Sequence, residues 1–347
     1  MQDDDGCSFS LISTADNDSV YTPTDQDTDE FELVYDDDRS DCSPWAPSSS
    51  CSTSVPPSIY GDEHEHGRCY HSFKSGRYPL PNDDGEQRRE DTEHAVMLHL
   101  LKGKLFVSDV GDNPQKIIDV GTGTVADLYP SASVIGTDLS PIQPRWMPIN
   151  AQFFVEDCED PVWTNGNDFD LVHFRGLAGF LLDLEGMVIN ARNHLRCGGW
   201  IEFQEYDHAI LCDDGTMQTD DPLRAFFDTC AQGMREYGCL GFGKQDIRQT
   251  LKNSGFKRVQ VVSKKVPIST WPRDEKMKTL GTLMRANILE MLDAMAAKPL
   301  VALGMTPEQR HDMVDGVRKS LQDVRVHRYM NCSFYFGQKG EADSCLE

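Results

Sequence analysis

The stretch "IIDVGTGTVADLYPSASVIGTDLS", residues 117–140, constrains the fold more than any other part of the chain. Ile117 to Val120 form a short apolar run that reads as a buried parallel strand. Gly121 and Gly123 follow at once, where a chain leaving a strand needs positive φ or close backbone approach to a ligand. Ser133 to Thr137 read as a second strand with Asp138 at its end. In nucleotide-binding α/β sheets an acid there accepts hydrogen bonds from ribose hydroxyls. A tight turn with nothing bound is the plainer alternative. The order of strand, glycine turn and second strand ending in an acid favours a cradle.

The glycines do not match the dinucleotide fingerprint G-x-G-x-x-G. Asp119 precedes them, giving D-x-G-x-G, and Val125 or Ala126 stands where a third glycine belongs. An acid one residue removed from the first glycine suits a ligand bearing an ammonium group rather than a pyrophosphate. That favours S-adenosylmethionine over NAD and makes a nicotinamide-dependent oxidoreductase the least favoured function. The crossover is also short. A parallel crossover needs about a dozen residues or more, usually with a helix. After the glycine turn only Thr124 to Tyr129 remain to be helical before Pro130 stops continuation. One flank of the first strand is therefore expected to be poorly covered.

The chain has 347 residues and a formal net charge of −24, but residues 1–66 carry 17 acids and one base. This tail is rich in Asp, Ser, Thr and Pro and is expected to be disordered. Its island "FELVYDDD" (31–38) is a candidate protein-docking motif, with a plain solvated tail as the simpler reading. So acidic a chain disfavours direct nucleic-acid binding and anionic membranes. An acidic start without an apolar stretch predicts no secretory leader, and no run reaches the ~18 apolar residues of a membrane span. Eleven cysteines without a C-x-x-C pair fit free thiols in a reducing compartment rather than disulfides or zinc. Cys345 stands third from the end, which excludes prenylation. No lysine-arginine cluster argues for nuclear import. The expected location is cytoplasmic, with the nucleus as the alternative.

From Gly67 the composition turns globular. An amphipathic helix over 86–104 precedes the first strand. Further strands read over 151–157, 169–176 and 199–208, with a helix from Leu184 to Leu195 between the last two. A helix over 244–256, a final strand pair over 257–268 and 329–339, and Met-rich helical sequence between them complete the pattern. Thr306-Pro307-Glu308-Gln309 has the form of a helix start. Strands alternating with helices predict an α/β fold with an open, doubly wound sheet.

"GRCYHSFKSGRYPLPNDDGEQRR", "IIDVGTGT", "VIGTDLSPIQPRW", "FDLVHFRGL", "GGWIEFQEYD" and "LQDVRVHRYM" occur in this order. In these segments the chain resembles the fungal LaeA-like methyltransferases, class I S-adenosylmethionine-dependent enzymes or regulators of secondary metabolism. The resemblance spans roughly residues 67–340. It implies a Rossmann-like, seven-stranded, mostly parallel sheet with an antiparallel last strand. Around that sheet it implies a helical cap (67–104), a helical insertion (269–327) and a short tail (341–347). Carried over by position, Asp119, Gly121 and Gly123 would line the methionine and ribose of the cofactor. Asp138 would take the ribose hydroxyls, and Asp157 would sit near the adenine amino group with Cys158 beside it. His173 and Arg175 would face the methyl-transfer region, and Tyr70 and Tyr78 would lie in the segment closing over the site. Family members read a third glycine and about two further helical turns after Thr124. Here the chain passes straight to Val125. Because both flanks match, a missed exon boundary is the economical explanation.

Methyl transfer is an in-line displacement at a sulfonium, so positioning supplies much of the acceleration. A base is needed only for a weakly acidic nucleophile. His173 is the first candidate, as base or as substrate hydrogen-bond partner, against a satisfied structural histidine. Glu205, Tyr206 and Asp207 come next, although strand alternation alone would turn them toward solvent. His327 and Tyr329 are candidates for the same pocket, with packing as the plainer role. Glu63-His64-Glu65-His66 resembles a metal tract but reads better as incidental polarity, so no metal is expected. The expected function is methylation of a small molecule in secondary metabolism. The alternative is a regulator of the same fold, acting in a nuclear complex through its tail.

Overall fold

In the computed structural model the described residues are 61–121, 128–142, 148–242 and 245–341. Gly123, the short crossover from Thr122 to Asp127 and the "FELVYDDD" island lie outside them. A two-stranded hairpin, β1 (Asp62–Glu65) and β2 (Arg68–His71), comes first. It crosses residue 66, where composition alone set the edge of the globular part. Helix α1 (Asp84–Leu100) follows, capped by the Asp83 side chain, which accepts from the Glu86 backbone N–H.

Seven strands then form one sheet: β3 (Lys116–Val120), β4 (Ser133–Asp138), β5 (Ala151–Val155), β6 (Phe169–Arg175), β7 (Leu195–Tyr206), β8 (Phe256–Pro267) and β9 (Tyr329–Lys339). Their spatial order is β5-β4-β3-β6-β7-β9-β8. The pairs from β5 through β7 are parallel, and β9 runs antiparallel between β7 and β8. The chain order reverses at β3, with β4 on one side and β6 on the other. That switch point opens a crevice at the carboxyl ends of the strands.

Alternation sorts the strand residues onto two faces. Ile117, Leu171, Trp200 and Phe336 pack with Leu105 and Phe106 on one face. Ile118, Val120, Val172, Phe174, Ile201 and Phe203 pack on the other against α2 (Leu184–His194) and α4 (Ile247–Asn253). A third cluster is helical. It joins α1 to α3 (Pro222–Tyr237) and α5 (Glu275–Ala302) through Val96, Met97, Phe226, Phe227, Met284, Ile288 and Met295. Helix α6 (Pro307–Ser320) starts with a complete capping box between Thr306 and Gln309, as its sequence predicts.

Two devices fix the helical layer. Gly233 on α3 meets the Pro299 carbonyl of α5 so closely that an added Cβ would stand 2.3 Å from that oxygen. Arg89 is buried against Glu86 and Glu93 on its own helix and donates to Asn287 Oδ1 of α5 at 3.1 Å. Among the described residues, no helix is long and apolar enough to cross a membrane.

Candidate functional site at the carboxyl edge of the sheet

Gly121 leaves β3 with φ +82°, a left-handed backbone that suits glycine, and among the described residues nothing lies within 4 Å of where a Cβ would stand. Its N–H donates to the Thr137 carbonyl at 2.8 Å, which locks the turn to the end of β4. One residue on, the Asp138 carboxylate accepts from the Ser140 amide at 2.8 Å and from that of Leu139. Burial outweighs those amides and pushes its pKa up to about 6. A carboxylate offers about four acceptor positions, so two amides leave room for ribose hydroxyls.

Asp157, after β5, is buried. Its Oδ2 takes Lys74 Nζ at 3.0 Å and Arg77 Nε at 3.3 Å, and its Oδ1 accepts the Glu159 amide at 3.0 Å. Three of about four positions are filled, which leaves one for an adenine amino group. Cys158 beside it is a buried thiol pushed up to about 12 by burial. It is not reactive at neutral pH.

The expected pairing of Asp119 with a ligand and His173 with the reaction meets a different arrangement. The two residues are register partners on β3 and β6, and Asp119 Oδ1 lies 2.6 Å from His173 Nδ1. His173 is 1% exposed, its Nε2 has no partner among the described residues, and the Phe106 ring closes it off edge-on at 5.0 Å. By alternation both share the sheet face of Ile117 and Leu171, where Phe106 packs. Arg175, two residues on, donates to Gln204 Oε1 at 3.0 Å and lies 2.8 Å from His94 Nδ1 of α1. Burial and the Arg175 charge push His94 down to about 4, so its neutral ring accepts that bond.

For the candidate Glu205 strand alternation offers the solvent side as the plainer reading, and for Asp207 it is the favoured one. Glu205 is instead buried, because the turn after β6 folds over the strand end. That turn presents the Leu177 and Ala178 amides, each 3.0 Å from Glu205 Oε1. Burial pushes this carboxyl up to about 8. Tyr206 is buried with an unpartnered hydroxyl. Asp207, half-buried, accepts from Ser333 Oγ at 3.1 Å and is raised by burial.

Tyr78 packs on Phe180 at 4.8 Å, in the turn beside Glu205. Tyr70 lies farther off: its buried ring carries Lys298 Nζ at 3.8 Å and ties the hairpin to α5. His327 stacks on Trp271 and pairs with Asp214, while the Tyr329 hydroxyl donates to Asp213 at 2.6 Å. Both are thereby held to the 211–216 loop, on the β9 flank of the sheet. Of the acidic-histidine tract, Glu63 accepts from Ser75 Oγ and Glu65 pairs with Lys298. Among the described residues no group of three or more His, Cys, Asp or Glu is arranged to hold a metal.

Sequence reasoning missed Lys74, Arg77, His94 and His208. His208 takes φ +54°, stacks on Phe242 at 3.9 Å and is pushed down to about 4 by burial. Only the two cations carried a signal, as bases in a stretch, 67–82, that holds no acid.

A family model described as a methyltransferase domain matches residues 89–261. The chain is 33% identical over 299 residues to Methyltransferase pytC of Aspergillus terreus, covering 84% of this chain and 92% of that protein. It is 34% identical over 290 residues to Secondary metabolism regulator LAE1 of Cochliobolus heterostrophus, covering 79% and 94%. Among solved structures it is similar to phosphoethanolamine N-methyltransferase 2 of Haemonchus contortus in complex with S-adenosyl-L-methionine. The identity there is 16% and the TM-score 0.40, over 72% of this chain and 53% of that one. A parallel sheet with its order reversed at β3, an antiparallel β9 and relatives matched over nine-tenths of their length agree: the chain belongs to the methyltransferase family of pytC and the LaeA-type proteins.

Proposed function

We propose that the protein uses S-adenosylmethionine to methylate a small molecule of secondary metabolism. The observation that carries this reading is the succession of acids at neighbouring strand ends around a left-handed glycine. Asp138 follows β4, Asp157 follows β5, and Gly121 opens the turn from β3. Each retains acceptor capacity or open space where ribose, adenine or the amino-acid end would lie. The cofactor supplies an electrophilic methyl group on a sulfonium. Asp138 and Asp157 bind and orient it, Tyr78 and Phe180 keep water from the acceptor side, and Glu205 receives the acceptor's proton. Two backbone amides hold Glu205 in place for that step.

The test is calorimetric titration of S-adenosylhomocysteine into the protein and into Asp138→Asn and Asp157→Asn. Saturable binding, weakened about tenfold by each change, supports the reading. Equal binding by all three contradicts it. The regulator reading draws on the relative named a secondary metabolism regulator. It predicts that removing residues 1–60 abolishes capture of a protein partner while donor binding stays unchanged. An enzyme acting on a small molecule keeps its activity after that removal.

A further inference from the structure

The segment between the hairpin and α1, residues 72–82, crosses the crevice mouth, and one side chain in it touches both sides. Arg77 Nε reaches Asp157 Oδ2 at 3.3 Å, and its NH1 donates to the Phe180 carbonyl at 3.0 Å. Its remaining nitrogen pairs with Glu159. The guanidinium is nearly enclosed, with a side-chain exposure of 12%. Asp157 and Glu159 belong to the loop after β5, on the adenine side. Phe180 belongs to the turn after β6, on the acceptor side.

The two sides are stitched again by Glu159, whose carboxylate accepts the Leu182 amide at 2.9 Å and the Asp183 amide at 2.6 Å. That same turn supplies Leu177 and Ala178 to Glu205. Lys74, three residues before Arg77, contacts Asp157 at 3.0 Å and Asp160 but makes no bond to the turn. A planar fork with several fixed donors is pre-organised to hold two carboxylates and a carbonyl set at fixed angles, whereas the ammonium of Lys74 reaches only the loop after β5.

We infer that Arg77 is a positioning residue that couples the adenine end of the donor site to the acceptor-side turn 177–183. This rests on the donor reading above. An amino group taking the last acceptor position of Asp157 completes the set of donors around that carboxylate. The ordered carboxylate holds Arg77, and Arg77 holds the Phe180 carbonyl. Donor binding then reduces opening of a turn that the donor's adenine does not touch.

Hydrogen exchange on the full chain, with S-adenosylhomocysteine as the probe, tests this. In the unaltered protein, saturating probe is expected to slow exchange in both 156–160 and 177–183. In Arg77→Met the probe binds about three- to tenfold more weakly, and at saturation it protects 156–160 alone. Arg77→Lys keeps one charge on Asp157. It recovers part of the affinity but none of the protection at 177–183, a split that general loosening of the fold does not produce. It carries the test by itself if Arg77→Met fails to fold. Unchanged protection of 177–183 in the Lys variant, or none in the unaltered protein despite saturable binding, overturns the coupling. A flat isotherm with the unaltered protein instead overturns the donor reading, and the coupling falls with it.

Discussion

Asp119 Oδ1 and His173 Nδ1 lie 2.6 Å apart between the two central strands, with neither side chain more than 5% exposed. A buried acid and histidine so placed hold each other, and β3 and β6, in register. Because His173 is engaged with Asp119, we take Glu205 as the candidate for proton transfer.

Replacing His173 by Leu removes a buried hydrogen-bond partner of Asp119. Losing one partner of a buried hydrogen bond costs about 1–3 kcal/mol. Urea unfolding should show that loss, and the double variant Asp119→Leu/His173→Leu should lose less than the two single changes added together. Under conditions where His173→Gln is folded, its pH–rate profile should match that of the unaltered protein. A shifted profile would return His173 to the chemistry.

Glu205 makes a pH prediction of definite sign. Its folded pKa, about 8, lies above its unfolded value of 4.5, so the folded state holds the extra proton between those limits. The protonated form's stabilising share is complete below about pH 4.5 and is lost as pH rises through 8. Melting temperatures should therefore fall across that window, and Glu205→Gln should flatten the fall. If Glu205 receives the acceptor's proton, methyl transfer rises with a midpoint near pH 8, and Glu205→Gln removes that limb.

Gly233→Ala tests the helical layer. The new methyl group meets the Pro299 backbone oxygen, which is not the end of a flexible side chain and cannot swing away. Overpacking of this kind costs about 1–3 kcal/mol. Thermal unfolding should show the loss, and a second alanine at the exposed Gly215, although it too has positive φ, should not report on α3–α5 packing.

Much of this architecture is legible in the sequence because it rests on local rules. The run to Val120, the left-handed Gly121 and the acid at 138 all stand where alternation and backbone freedom put them. The capping box at Thr306 is likewise a short-range signal. Helix α3 carries equally local signals, since Asp221 caps it, Pro222 opens it and Gly238 ends it at φ +110°, although the pattern of strands and helices read from the sequence omits it. The hairpin was hidden by an acidic composition, because its partners are Lys298 on α5 and its own second strand. The burial of His173 and the role of Arg77 depend on contacts 54 and 80 or more residues away. No local pattern encodes them.

The short crossover bears directly on the central claim, because only Thr124 to Tyr129 stand between the glycine turn and Pro130. The decisive measurement is titration of S-adenosylhomocysteine into two versions of the protein, one of the present sequence and one with two helical turns restored after Thr124, as the resemblance implies. The account predicts saturable binding by the restored protein, at least about tenfold tighter than by the shorter one, and its weakening by Asp138→Asn. A restored, well-folded protein with no saturable binding, or with binding indifferent to Asp138, would contradict it.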